Sequence, residues 1–161
     1  MGPEWYGKSI LILGCGNVLL EDDGFGSAVA QKLQSDFKIP SDVCVLDTRT
    51  SVREILFDTI LADKKPSKIV IIDAMDCGLE PGELFSPDLD SYPKAKLDDF
   101  SLHQLPTSNL LRELRDLCGI QVDVVACQVA GACDVVNPGL SEPVSKAVGQ
   151  AAELIAKEYF K

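Results

Sequence analysis

Long apolar runs are missing from this sequence of 161 residues; Ile10–Leu13 and Ile69–Ile72 are typical of its aliphatic stretches. The roughly 20 residues needed to cross a bilayer are nowhere approached. The first residues, MGPEWYGKS, lack the basic segment and apolar stretch of a secretory signal, so a cytoplasmic protein is expected. Positive charge is scarce too: 15 Lys and Arg stand against 25 Asp and Glu, a net charge of −10. No basic cluster exceeds Lys64-Lys65. Binding to phosphate polymers depends on local positive charge, which makes nucleic acid and anionic membranes poor partners. Cationic or metal-bearing partners fit better. The six cysteines, at 15, 44, 77, 118, 127 and 133, form no CxxC pair. A zinc knuckle is therefore disfavoured, and small buried hydrophobes are expected instead. Histidine is almost absent, with His103 alone.

What is present is an alternation of short apolar runs with stretches of helical period. Residues 9–14, 43–47, 68–73 and 122–128 read as strands, the third an uninterrupted aliphatic run suited to burial on both faces. Phe25, Val29 and Leu33 place one stripe on a helix that starts near Asp23. A second helix follows the capping-box pattern Ser51-Val52-Arg53-Glu54. A third begins near Pro106, with Leu110, Leu111, Leu114 and Leu117 as its buried face and Gly119 as its stop. The last opens at Ser141-Glu142-Pro143 and buries Val144, Val148, Ala151 and Ile155. Residues 75–100 are the least regular, with Gly82–Phe85 as a candidate edge strand. This order predicts one domain over residues 1–161: a three-layer α/β/α fold on a mostly parallel twisted sheet of about five strands.

Ligands of open parallel sheets collect beyond the carboxyl ends of the strands. There the first strand runs into GCGNVLLEDDGFG (14–26), the second ends at Asp47 and the third at Asp73. A dinucleotide loop needs a third glycine three positions after Gly16, and Leu19 stands there instead. Asp22 and Asp23 would also repel a phosphate. An acid at a helix start is an ordinary cap, so one of the pair is expected to be structural. Two acids among glycines, facing the Asp73 loop, suggest a place that gathers negative charge for a cation. A segment entering a helix at Pro106 can bring the His103 imidazole to the same sheet edge. Two carboxylates and one imidazole leave coordination positions open, a set suited to zinc, nickel or a similar divalent ion.

In these blocks the sequence resembles the hydrogenase maturation endopeptidases, which trim the C-terminal extension from the large subunit of nickel-iron hydrogenases. The resemblance is carried by Gly14-x-Gly16-Asn17-x-Leu19-x-x-Asp22-Asp23-Gly24-x-Gly26, by Ile72-Asp73-Ala74-x-Asp76-x-Gly78-x-x-Pro81-Gly82-Glu83, and by His103 ahead of a helix. It implies Asp23, Asp73 and His103 as metal-binding and catalytic residues, with Asp22 a neighbour. Gly16, Asn17, Asp22, Gly24 and Asp47 would form the supporting loops. It further implies a hydrogenase large-subunit precursor as partner, the nickel arriving in that substrate, with zinc or cadmium able to stand in for it. One departure is Asp47-Thr48-Arg49-Thr50 where the family often has D-G-G-T, which puts Arg49 at a glycine position. The stretch Leu102–Pro106 with Asn109–Leu114 resembles the branch serving deazaflavin-coenzyme-reducing hydrogenases.

Three function classes follow. The leading one is an endopeptidase that acts on a nickel-loaded precursor, by metal-assisted chemistry or by aspartate alone as general base. Adjacent residues entering a helix point apart, which disfavours Asp22 and Asp23 as an acid dyad sharing a proton. The second is a nickel-sensing or chaperone module without catalysis. A nucleotide-binding domain comes third. Oligomeric state is not legible.

Overall fold

The computed structural model describes residues 3–91 and 107–161, so His103 and Pro106 lie outside the described residues. The chain runs through β1 (Ile10–Cys15), a 3-10 turn (Glu21–Gly24), α1 (Phe25–Asp36), β2 (Val43–Arg49), α2 (Val52–Leu61) and β3 (Lys68–Met75). It continues with the short β4 (Leu84–Phe85), a 3-10 turn (Leu89–Ser91), α3 (Thr107–Asp116), β5 (Gln121–Gln128) and α4 (Glu142–Tyr159). The five strands form one sheet in the order β2-β1-β3-β5-β4. All neighbours are parallel except the edge pair β4 and β5.

The alternation of side chains along each strand divides the core in two. Ile12, Val70, Ile72, Val125 and Cys127 face α1 and α4, meeting Phe25, Val29, Leu33, Val144 and Ile155. Leu11, Leu13, Ile69, Ile71 and Val124 face α2 and α3, meeting Leu56, Leu111 and Leu114. Three layers result, as the periodicity predicts.

Local details depart from the sequence reading in four places. The helix expected near Asp23 starts at Phe25, because Glu21–Gly24 winds as a separate 3-10 turn. Ser51 makes no side-chain cap bond, its backbone lying at φ −100 and ψ 12, outside the extended conformation that a capping side chain needs. Leu117 lies beyond the end of α3 and is 80% exposed. Gly119 does turn the chain, with φ +69. Of the cysteines, 15, 44 and 127 are buried; Cys118 and Cys133 are half-buried and Cys77 is exposed, because it lies on the loop after β3.

Strand order fixes where a ligand can approach. The chain leaves β1 toward β2 on one side and returns through β3 on the other. The crevice above the carboxyl ends of β1 and β3 is therefore the topological switch point of the sheet. No helix among the described residues is long and apolar enough to cross a membrane.

Candidate functional site

Both expected carboxylates stand at that switch point. Asp73 occupies the sixth position of β3 and is fully buried. It lies two residues from both Ile71 and Met75, which pack on the α2 and α3 side, so its side chain projects toward that layer. Its Oδ1 accepts the Ala74 amide at 2.9 Å. A carboxylate shielded from water at a strand end is costly unless donors or a cation meet it, which marks Asp73 as more than a packing residue.

Asp23 reaches the crevice from the 3-10 turn, which packs against β3. Its Oδ2 accepts the Asn17 amide at 2.7 Å, and Asn17 Oδ1 in turn accepts the Leu19 amide at 2.9 Å. Gly16 makes this possible. Its φ of +128 suits glycine alone, and a Cβ there would overlap the Asp23 carbonyl oxygen. Gly26 plays the matching part at the head of α1, where a Cβ would run into the carbonyl oxygens of Ile72 and Cys15. The glycines between 14 and 26 thus bring backbones together and place the turn that carries Asp23.

Asp22 has a different task. It is buried, with Oδ1 accepting the Ser141 amide at 2.7 Å and Oδ2 accepting both the Ser141 hydroxyl at 2.9 Å and the Ala130 amide at 2.8 Å. These bonds lock the turn to the β5–α4 connection. The adjacent acids therefore divide their work, Asp22 holding the turn to the β5–α4 connection and Asp23 holding the loop before it through the Asn17 amide.

Asp47 is the fifth residue of β2 and lies beside Gly14 of β1. Its Oδ2 accepts the Gln31 side-chain amide at 3.0 Å and pairs with Arg49 Nε at 3.5 Å. Arg49 has φ +52, so its backbone takes the left-handed conformation that favours glycine. Its carbonyl accepts the Gly16 amide at 2.9 Å, and the Thr48 hydroxyl donates to the Gly14 carbonyl at 2.7 Å. The loop is thus tied to β1 despite the bulky residue.

Gln128 is a positioning residue that sequence reasoning missed. Buried at the end of β5, it accepts the Cys77 and Leu79 amides through Oε1 at 2.7 and 3.2 Å. Its Nε2 donates to Asp76 Oδ1 and to the Val129 carbonyl, each at 3.0 Å. All four hydrogen-bonding positions of the amide are used, and the loop leaving Asp73 is held by them. Nothing local in the sequence announces this, since the partners lie about fifty positions apart.

Among the described residues, no three His, Cys, Asp or Glu side chains are grouped so as to hold a metal. Those residues supply two carboxylates, and the expected third donor, His103, lies outside them. Gly24 opens into a groove of about 310 Å³ that is lined also by Glu21, Ser27, Gln31, Arg49 and Leu140.

Known proteins resemble this chain in sequence and fold. The family model described as hydrogenase maturation protease matches residues 27–158. A proposed hydrogenase maturation protease of Methanocaldococcus jannaschii is 41% identical over 155 residues, covering 96% of this chain and 98% of the relative. The Coenzyme F420 hydrogenase subunit delta of Methanothermobacter thermautotrophicus is 33% identical, covering 95% and 96%. Among solved structures, the [NiFe] hydrogenase maturation protease HycI from Thermococcus kodakarensis superposes with a TM-score of 0.73 at 29% identity, covering 95% of this chain and 94% of that one.

Proposed function

Because this chain belongs to the hydrogenase maturation protease family, we propose that it is the endopeptidase that removes the C-terminal extension from a nickel-loaded [NiFe] hydrogenase large-subunit precursor. The observation that carries this reading is the pair Asp23 and Asp73 at one switch point, the first set by Gly16 and the second buried at the end of a central strand. Loop residues are held to the sheet around them by Asp22, Arg49 and Gln128.

Nickel in this scheme belongs to the precursor. Asp23 and Asp73 offer carboxylate oxygens, and His103 an imidazole, to an ion already seated in the substrate, so that only a loaded precursor docks in register. The segment bearing His103 leads into α3, which packs on the side toward which Asp73 projects. That arrangement supports the triad. Fixed in this way, the scissile peptide lies against the carboxylates at the crevice, and a carboxylate can take the proton from an attacking water. The protein works in the cytoplasm, and its relation to the Coenzyme F420 hydrogenase subunit delta favours the branch named above.

The test is to incubate the protein with nickel-loaded precursor and follow the precursor by mass. Loss of the extension is expected with the wild type and not with Asp23→Asn. Stable binding of the precursor with no cleavage would instead support the non-catalytic chaperone module.

A further inference from the structure

The groove beside Asp23 holds one basic residue among those that line it, Arg49, and one acidic residue, Glu21. Arg49 is 58% exposed in its side chain although its backbone is pinned in the left-handed conformation. A side chain held this way is aimed by its backbone. Its nearest approach to Asp47 is through Nε at 3.5 Å, while Asp47 Oδ2 also takes the shorter bond from Gln31. Among the described residues, no hydrogen bond engages the two terminal guanidinium nitrogens. Those nitrogens are the fork that matches a carboxylate. The surrounding edge carries Asp22, Asp23, Asp47 and Asp73, and the chain has a net charge of −10. Among the described residues that line the groove, Arg49 is the one that attracts an acidic group. Glu21, whose Oε2 lies toward Gly131 of the loop after β5, is the one acidic residue of the lining and repels such a group.

We propose that Arg49 is a specificity-determining residue, whose guanidinium receives a carboxylate of the substrate's C-terminal extension in the groove between α1 and the connection to α4. This deepens the protease reading and rests on it. Gly24, directly after Asp23, lines the groove, so residues beyond a scissile bond held beside Asp23 are within reach of it. The carboxylate comes either from an acidic side chain of the extension or from its terminus.

The test uses a fluorescent peptide with the sequence of the extension of the organism's own hydrogenase large-subunit precursor. It is made as the free acid, as the C-terminal amide, and with its Asp and Glu replaced by Asn and Gln. Anisotropy titrations compare the wild type with Arg49→Gly and Arg49→Lys. Glycine suits φ +52 without strain, so the loop path is kept. Arg49→Gly is expected to weaken free-acid binding by about tenfold or more, with Arg49→Lys in between. Whichever modified peptide binds wild type and Arg49→Gly equally identifies the source of the carboxylate. With intact precursor, the loss should appear as a raised KM more than a lowered kcat. Equal affinity of wild type and Arg49→Gly for the free-acid peptide overturns the inference, as does absence of any wild-type binding to it. The protease reading is judged separately, by whether the wild type cleaves the loaded precursor at all. Cleavage with no Arg49 effect removes this inference alone, and absence of cleavage removes the protease reading together with the assignment of the bound peptide as a cleaved extension.

Discussion

Asp22 grips Ser141 twice, through its amide at 2.7 Å and its hydroxyl at 2.9 Å, across 119 positions of sequence. With Ala130 as third donor, the carboxylate joins the turn below the crevice to the connection that leads into α4. Asp22→Ala should therefore cost about 3 kcal/mol of stability, because it strands two amides away from their acceptor. Asp23→Asn, which keeps an oxygen for the Asn17 amide, should cost less than about 1 kcal/mol. Urea unfolding of the two variants checks the contrast. Equal stabilities would show that the division of labour between the adjacent acids is wrong.

Gly26→Ala should be severely destabilising, because its Cβ meets backbone of both β1 and β3 and no side chain can turn aside. A loss of about 3 kcal/mol is expected. At Gly149, within α4, a Cβ meets only the flexible Lys32 Cε at 3.8 Å. Gly149→Ala should raise stability by about 0.5–1 kcal/mol through helix propensity alone. Thermal melts of the two alanine variants decide whether they move in opposite directions.

Alkaline pH should unfold the protein. Burial raises the Cys44 thiol to about 11 and the Cys127 thiol to about 12. Burial also raises the Tyr159 phenol, which donates to Asp123 Oδ2 at 2.7 Å. Each group stays neutral in the folded chain after its unfolded counterpart has ionised, the thiols from 9.0 and the phenol from 10.0. Their contribution is complete below pH 9.0 and is lost as pH rises toward about 12. Melting temperatures across this range should fall steadily, and less steeply in Tyr159→Phe. A flat profile in the wild type would contradict the assignment.

Much of this was legible in the chain because it rests on local periodicity. The aliphatic runs gave the strands, the four-residue spacing of Phe25, Val29 and Leu33 gave α1, and Gly82–Phe85 gave the edge strand. The placement of Asp73 near the end of β3 and of Asp23 in the turn after β1 was legible because strand ends in a parallel sheet share an edge. The roles of Asp22 and Gln128 were not, since their hydrogen bonds join segments 108 and 51 positions apart. Ser51 followed a capping pattern without capping, because the tight turn after β2, closed by the Ser51 amide on the Thr48 carbonyl, sets its backbone. Arg49 looked like a break in the loop, yet it adopts the glycine-like conformation because the loop is fixed to β1 by bonds from Gly16 and Thr48.

The central claim is that Asp23, Asp73 and His103 converge on one divalent ion. A crystal of the protein grown with cadmium, read by anomalous scattering, tests it most directly. The account predicts a single strong peak above the ends of β1 and β3, with donors from all three side chains about 2.0–2.5 Å away. A peak held by other residues, or one that keeps full occupancy in both Asp73→Asn and His103→Ala, would contradict it.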